Sequence, residues 1–225
     1  MFERHKNKSL TGAAFMTLAL IYHQTVYNLR TSSRSAVAGL ALIIIQNLML
    51  VMIFLFLYNI IGLRRSPIRG DFLLFIMSGI FVYMTHVKAV TAVASSYSIS
   101  KSLVKHNPLN AAVMIAASGL SALYQQTLGC IVILLFYHLA FEQISIYQWQ
   151  GVVGMFLLSW FSGCCVGLVF LGIMPWFPKV AGFIVILYSR INMFASGKMM
   201  VANSIPGFIL PWFEWNPLFH LIDQG

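Results

Sequence analysis

The first residues to consider are those whose types and spacing could bind nucleotide. Gly197-Lys198, in "ASGKMM" (195–200), resembles part of a phosphate-binding loop. Such a loop also requires a glycine where Asn192 stands and a Ser or Thr where Met199 stands. The sequence therefore predicts no nucleotide site and no cofactor in this chain.

Histidines, acids and serines offer little further catalytic chemistry. The six histidines lack metal-ligand spacing, so we expect interfacial or helix-end imidazoles. The five acids form no pair within an apolar segment, and no Gly-x-Ser-x-Gly motif occurs. The chain is therefore not expected to be an enzyme. The histidines are His5, His23, His86, His106, His138 and His220, and the acids are Glu3, Asp71, Glu142, Glu214 and Asp223.

Two cations interrupt an apolar segment near the end of the chain. Arg190 lies near the middle of residues 180–200 and Lys198 toward one end. A charge at membrane depth costs at least about 2.5–3.5 kcal/mol, so it should face protein or a wet cavity. We assign Arg190, with neighbouring Tyr188, to a polar path; snorkelling toward the interface is the alternative and suits Lys198 better.

The composition of the chain indicates the environment in which these residues lie. Hydrophobic residues make up 60% of the 225 residues and charged residues 8%, whereas a soluble domain carries about 25% charged residues. The sequence therefore predicts a membrane protein. Cys130, Cys164 and Cys165 fall within apolar segments, and we expect them to act as small buried hydrophobic residues.

Five uncharged or nearly uncharged segments are long enough to span a membrane as helices. We predict an all-α polytopic membrane protein, since no segment alternates as a barrel strand would. His86 and Lys88 fall near the end of the second span. The spans are Ser35–Leu63 with its apolar centre at Ala36–Ile61, Asp71 to about Val93, a stretch within Asn107–Phe141, a stretch within Gln143–Pro178 best placed at Gly151–Met174, and Val180–Met200.

Basic residues predict the orientation. Five of them precede the first span, which places the N-terminus in the cytoplasm, and Lys101 and Lys105 place the second-to-third connection there too. One loop conflicts: "GLRRSPIRG" (62–70) carries three arginines and falls outside. These basic residues are explained by the orientation in the membrane and by contact with lipid headgroups. We therefore expect membrane lipids as partners and no nucleic acid.

Residues 12–30 predict an amphipathic helix on the inner membrane surface, because an apolar stripe recurs every three or four residues. A short extra span is the alternative, which the polar second half disfavours. The stripe consists of Phe15, Leu18, Tyr22, Val26 and Leu29.

Two later segments carry helix-start and interface signals. The polar, basic segment 95–110 predicts a compact cytoplasmic helix, and Asn107-Pro108 predicts the start of the next span. Residues 205–219 predict broken helical pieces rich in aromatic residues at the outer interface, where an ordinary aromatic belt is the simpler interpretation. Their aromatic residues include Phe208, Trp212, Phe213 and Trp215.

The order of motifs near the end of the chain resembles the membrane subunits of ABC exporters for capsular and O-antigen polysaccharide. The resemblance extends to "NLRTSSRSAVAG" (28–39) and to the polar segment before Pro108, and so covers nearly the whole chain. Lys198 and Asp223 depart from the family's commoner residues. The series is Arg190, Ser196-Gly197, Ile205-Pro206, Trp215-Asn216-Pro217-Leu218, His220, Ile222 and Asp223.

This resemblance implies a six-span permease of the bacterial inner membrane that forms a homodimer and pairs with two ATP-binding cassette subunits. The ATP would be bound by those partners, and a lipid-linked polysaccharide would pass between the two copies. Phe208, Trp212, Phe213 and Trp215 would then lie in short outer gate helices. The segment between spans two and three would contact the ATPase through Ile99, Leu103 and Val104, flanked by Lys101 and Lys105.

We therefore expect one transmembrane domain, with a cytoplasmic segment at 1–35, five spans in 36–200 and a gate region at 201–225. The family's sixth span would follow Gly225, since Asn216-Pro217 predicts a helix start so near the end. Two alternatives remain: an ABC exporter of a drug, haem or lipid, and a polytopic membrane enzyme acting on lipid-linked sugars.

Overall fold

The computed structural model describes residues 10–31, 36–61, 72–103, 110–140, 149–195, 216 and 219–220. Within these residues the regular structure is entirely helical, as predicted. The six helices are α1 (Leu10–Thr31), α2 (Ala36–Ile61), α3 (Phe72–Leu103), α4 (Ala111–Ala140), α5 (Trp149–Ile173) and α6 (Pro178–Ala195).

The helix bounds confirm much of the sequence prediction. α2 coincides with the predicted apolar centre of the first span, and α4 and α5 lie within the predicted third and fourth segments. Three helical stretches of the described chain are long and apolar enough to cross a membrane by length and composition. They are Ile76–Ser96, Ala111–Leu139 and Trp149–Ile173, and a shorter apolar stretch is Ala41–Ile53.

The prediction around the end of α3 was wrong. The second span was expected to end near Val93 before a separate helix, but α3 continues without a break to Leu103. Neither glycine nor proline interrupts this stretch, and Ser95 and Ser96 return their hydroxyl hydrogens to carbonyl oxygens three residues earlier. α3 is consequently a single continuous helix of 32 residues.

α4 begins later than Asn107-Pro108 predicted. Its first residue is Ala111, and Asn110 caps it: the Asn110 Oδ1 accepts from the Ala112 N–H at 3.3 Å. The Asn110 carbonyl accepts from the Val113 N–H at 3.0 Å.

The connection between α5 and α6 is a tight turn at residues 174–177. Phe177 carries the first carbonyl of α6, which accepts from the Ala181 N–H at 2.9 Å. Pro178 occupies the first helical position, where its missing N–H is not needed. α5 and α6 are therefore antiparallel neighbours.

α3 lies at the centre of the packing. Its first half packs with α2 and α4 around Ile76, Ile80 and Phe81, and its second half meets α6 at Val90 and Val185. The most extensive helix contact in the described chain joins α3 to α5. α5 itself is the least buried of the three long apolar helices.

α1 forms the predicted N-terminal helix and packs mainly against α4. Phe15, Leu18 and Tyr22 of the predicted apolar stripe are exposed, and Gln24 is the buried member of the described side chains in α1. Gln24 tolerates burial because its Nε2 donates to the Asn28 Oδ1 at 3.0 Å. Gln24 of α1 thus faces protein, whereas Phe15, Leu18 and Tyr22 do not, and Val26 and Leu29 of the stripe are half-buried.

Candidate functional site

A buried polar network joins three helices at the middle of α3. His86 has no exposed surface. Its Nδ1 lies 2.9 Å from the Ser162 Oγ on α5, and its Nε2 lies 2.9 Å from the Tyr188 hydroxyl on α6. Both imidazole nitrogens are therefore engaged by side chains from two other helices.

The hydrogen-bond directions follow from the serine. Ser162 has one hydroxyl hydrogen, which it donates to the Ser159 carbonyl at 2.9 Å. Its Oγ therefore accepts from the His86 Nδ1–H, and the His86 Nε2 accepts from the Tyr188 O–H, as a neutral imidazole requires. Every member of this network has a partner, so it acts as a three-helix connection.

This network corrects the sequence prediction for His86. A helix-end or interfacial imidazole was expected, but His86 lies in the middle of α3 and is fully buried. Its partners lie 76 and 102 residues further along the chain. Since no local spacing connects these positions, the sequence carries no signal for the contact.

A second hydrogen bond ties α3 to α6 close to the first. The Tyr83 hydroxyl donates to the Ser189 carbonyl at 2.9 Å. Tyr188 also packs edge-on against Phe170 of α5, with ring centroids 5.4 Å apart. α6 is therefore held to α3 at two consecutive residues.

The contact of α3 with α5, which we call the α3–α5 seam, is made by Ser159, Gly163 and Gly167, all buried on α5. Ser159 donates its hydroxyl to the Val82 carbonyl at 2.6 Å. A Cβ at Gly163 would lie 2.5 Å from the His86 carbonyl oxygen. Such close backbone approach is what small residues at four-residue spacing permit between helices.

The spacing of these small residues is visible in the sequence, and the sequence prediction overlooked it. Val82 lies beside Ser159, His86 beside Gly163, and Gly167 beside Val90. The residue numbers of these contacting pairs increase together along both helices, so α3 and α5 run parallel. The seam also sets the register that brings Ser162 opposite His86.

The structure separates the two residues that the sequence assigned to one path. Tyr188 is half-buried and belongs to the His86 network. Arg190 is exposed on the chain's surface. Two residues are about 200° apart around a helix, which explains the opposite directions.

The predicted gate residues Phe208, Trp212, Phe213 and Trp215 lie outside the described residues. The next residue, Asn216, is described and contacts the end of α6. Its Nδ2 donates to the Asn192 Oδ1 at 2.6 Å and to the Ala195 carbonyl at 3.0 Å. The Asn216 carbonyl accepts from the Phe219 N–H at 3.0 Å, as in a first helical turn.

Three of the five predicted ATPase-contacting residues lie at the end of α3. Ile99, Lys101 and Leu103 occupy the last two turns of that helix. Their side chains lie outside the described part, as do Val104 and Lys105. The structure thus places the backbone of the predicted segment on the helix that carries His86.

The metal-ligand residues of the described chain form no group of three His, Cys, Asp or Glu. Cys130 and Cys164 are half-buried free thiols and Cys165 is exposed. Burial of all three cysteines was expected, and the prediction was wrong for Cys165, which lies beside Cys164 on the outward face of α5.

No protein-family model and no curated protein matches the chain. Its class is therefore given by its own residues: in its described part it is an all-helical protein with three helices long and apolar enough to cross a membrane.

Proposed function

We propose that the chain is the channel-forming permease subunit of an ATP-driven ABC exporter, with a lipid-linked capsular or other surface polysaccharide as its substrate. It would act as a homodimer in the bacterial inner membrane, with two ATP-binding cassette subunits on the cytoplasmic side. In this proposal the chain itself binds no ATP.

The observation that carries the proposal is the return of the chain to α6. Asn216 follows Ala195 by 21 residues, yet it hydrogen-bonds to the Ala195 carbonyl at the end of that helix. A segment that leaves a span and comes back to its end fits short re-entrant gate helices. Asn216 also begins the Asn-Pro-Leu part of the motif series on which the family resemblance depends.

The proposal assigns α2 to α6 as five spans. At about 1.5 Å per residue, the 26 residues of α2 reach across a hydrocarbon core of about 30 Å. α6 is shorter, with 18 residues. The many exposed apolar side chains of α2, α4, α5 and α6 would then contact lipid or the second copy. The N-terminus lies in the cytoplasm in this arrangement.

The proposed mechanism depends on the continuity of α3. Its last two turns carry Ile99 and Leu103, the proposed ATPase contact, and its middle is fixed to α6 through His86 and Tyr83. A push from the ATPase on the cytoplasmic end of α3 would therefore move α6. α6 carries Arg190, the proposed path residue, and contacts Asn216 beyond it.

Arg190 supports a path or subunit contact because its side chain is exposed on α6, a helix that itself contains no acid. Its planar fork of donors suits hydroxyl and phosphate groups of a passing polymer. The gate residues Phe208, Trp212, Phe213 and Trp215 would stack on sugar rings through their aromatic faces.

One observation favours testing a membrane enzyme as the second candidate: Ser162 and His86 are hydrogen-bonded, as in nucleophilic catalysis. However, Ser162 donates its hydrogen to the Ser159 carbonyl, and His86 has no exposed surface. The pair lacks access for a substrate in this conformation. A drug, haem or lipid exporter is distinguished by the substrate alone.

The experiment is co-purification with an ATPase from cells that express the full export system, followed by ATP-dependent polymer export. The test variant is Leu103→Asp, which puts a charge on the predicted apolar contact. The control is Ser102→Asp, which adds the same charge about 100° away on the same helix. We expect Leu103→Asp to lose ATPase co-purification while the chain still inserts and dimerises, and Ser102→Asp to keep most of it.

Retention of the ATPase by Leu103→Asp would move the coupling contact elsewhere. Failure of the unaltered chain to purify with any ATPase would contradict both exporter alternatives. Hydrolysis of a lipid-linked sugar that disappears in Ser162→Ala would favour the enzyme.

A further inference from the structure

Lys88 places an ammonium group on the middle of α3. It lies well inside the apolar stretch Ile76–Ser96, somewhat nearer to Ser96 than to Ile76. At about 1.5 Å per residue, Ser96 is about 12 Å away along the helix axis. The side chain is half-buried, and its Nζ donates to the Gln46 Oε1 of α2 at 2.8 Å.

This ammonium has no counter-ion in the described part of the chain. α2 contains no acid, and the acid nearest in sequence to Lys88 is Asp71, which precedes the start of α3. One amide oxygen accepts a single hydrogen bond from the Nζ, which has three donors. Burial of a cation is unfavourable without further partners, and the two remaining donors can be satisfied by water or an anion.

Gln46 shows on which side such a partner would approach. It is exposed in the middle of α2, between the exposed apolar residues Ile45 and Met49. The nearer end of α2 is Ala36, about 15 Å away along the helix axis. Lys88 therefore extends sideways to the middle of a neighbouring helix, whereas a snorkelling lysine extends toward a helix end.

Lys88 is separate from the His86 network, and it lies on α3 whereas Arg190 lies on α6. His86 and Lys88 are two residues apart, hence about 200° apart around α3. His86 faces α5 and α6, and Lys88 faces α2. Lys88 thus lies on another side of α3 from the His86 network.

We propose that Lys88 and Gln46 form a water-accessible site for an oxyanion, a phosphate or carboxylate group, at mid-depth in the helix bundle. Lys88 supplies the charge and Gln46 holds the ammonium at the surface between α2 and α3. The oxyanion is a group on the exported polymer. The assignment of the oxyanion to the polymer rests on the proposed function. The water access and the positive potential of the site do not rest on it.

The test measures water access and potential at position 46. Gln46→Cys is introduced into a chain in which Cys130, Cys164 and Cys165 are changed to Ala, and the protein is reconstituted in phosphatidylcholine vesicles. Small anionic and cationic thiosulfonates, both water-soluble, are then allowed to react with the thiol. Ile45→Cys, exposed on the same helix among apolar residues, is the matched control.

We expect position 46 to react at least about tenfold faster than position 45, because lipid excludes both reagents from the control. We expect the anionic reagent to be favoured, and the ratio of the two rates to fall about tenfold when Lys88→Met is added. A unit charge about 6 Å away in water changes each rate about threefold, in opposite directions. Lys88→Arg should keep the preference, and Lys88→Gln serves as the neutral variant if Lys88→Met fails to fold.

No reaction at position 46 would overturn the site, because it would place Gln46 in lipid or against another copy. A rate ratio that is unchanged without Lys88 would also overturn it. Inorganic phosphate should slow the anionic reagent at position 46 in the Lys88 chain and not in Lys88→Met, because the Lys88 ammonium supplies the charge of the site. Equal slowing in both chains, or slowing in neither, would overturn oxyanion binding.

The source of the oxyanion is tested by repeating the reaction in vesicles containing phosphatidylglycerol. An unchanged preference supports the polymer, since lipid headgroups lie beyond the end of the apolar stretch and hence at least about 12 Å from Lys88 along the helix. A preference lost only in these vesicles assigns the site to a lipid phosphate and overturns the polymer assignment. If the chain has a water-accessible, positively charged site but no ATPase partner, the inferred site stands and the proposed exporter function is contradicted.

Discussion

The α3–α5 seam and the contact between α2 and α4 both bury polar groups between apolar helices, but they satisfy them differently. In the seam, Ser159 donates to the Val82 carbonyl at 2.6 Å. Between α2 and α4, Asn47 is almost completely buried, yet its Nδ2 lies 3.5 Å from the Gln126 Oε1. The Asn47 Oδ1 has no hydrogen-bond partner within the described chain.

The difference comes from how closely the backbones approach. Gly163 and Gly167 let α5 lie directly on backbone atoms of α3, so short side chains reach carbonyl oxygens. At the other contact two long amide side chains must meet each other, and their contact is at the limit of hydrogen-bond geometry. We infer that the seam contributes more to the register of the bundle than the Asn47–Gln126 contact does.

The largest expected effect is at Gly163. Gly163→Ala places a Cβ 2.5 Å from a backbone oxygen and 3.1 Å from the Cα of His86, neither of which can rotate away. Overpacking of this kind lowers the free energy of unfolding by about 1–3 kcal/mol. Chemical unfolding in detergent micelles measures it.

The matched control is Gly154→Ala on the same helix, where the added Cβ meets no described atom within 4 Å. It should leave stability unchanged or raise it by up to about 1 kcal/mol, because alanine favours helix. Equal effects at both glycines would contradict close packing as the reason.

A smaller effect is expected from the His86–Tyr188 hydrogen bond. A double-mutant cycle with His86→Ala and Tyr188→Phe should give a coupling energy of about 0.5–1.5 kcal/mol, the range for hydrogen bonds between membrane helices. Tyr124→Phe, at an exposed tyrosine of α4, should change stability by less than about 0.5 kcal/mol. If the effects of the two single mutations on the free energy of unfolding are purely additive, the His86–Tyr188 hydrogen bond does not couple the proposed movement of α6 to that of α3.

The smallest effect is expected at Asn47. Asn47→Leu combined with Gln126→Leu replaces both partners by apolar side chains of similar shape and removes a buried oxygen that lacks a partner, so we expect a change within about 0.5 kcal/mol or a slight gain in stability. Unfolding under the same conditions as for Gly163→Ala provides the comparison. A loss of more than about 2 kcal/mol, the size expected when a buried polar partner is left unsatisfied, would show that Asn47 has a strong partner. That result would end the distinction between the two contacts.

Much of the architecture could be predicted from the sequence. The bounds of α2 follow from the uncharged segment between Arg34 and Arg64, and α5 and α6 follow from apolar runs separated at Pro178. Where the prediction failed, it relied on weaker signals: serines did not end α3, and Asn107-Pro108 did not start α4. Serine hydroxyls can return to the backbone of their own helix, so they interrupt it less than proline does.

For the candidate functional residues, too, some features could be predicted from the sequence and others could not. Arg190 was recognisable because a cation in an apolar segment is unusual wherever it lies in the fold. Its outward direction and the inward direction of Tyr188 required the position of α3. Lys88 was assigned to the end of a span by its neighbours in sequence, whereas the contact with Gln46 places it at mid-depth.

The sequence by itself determined the helices and their apolar character, because backbone hydrogen bonds close within each helix and need only local residues. Only the tertiary structure decided that His86 meets Ser162 and Tyr188, and that Lys88 meets Gln46. These contacts depend on the relative height and rotation of separate helices. That register is set at the α3–α5 seam by the absence of side chains at Gly163 and Gly167.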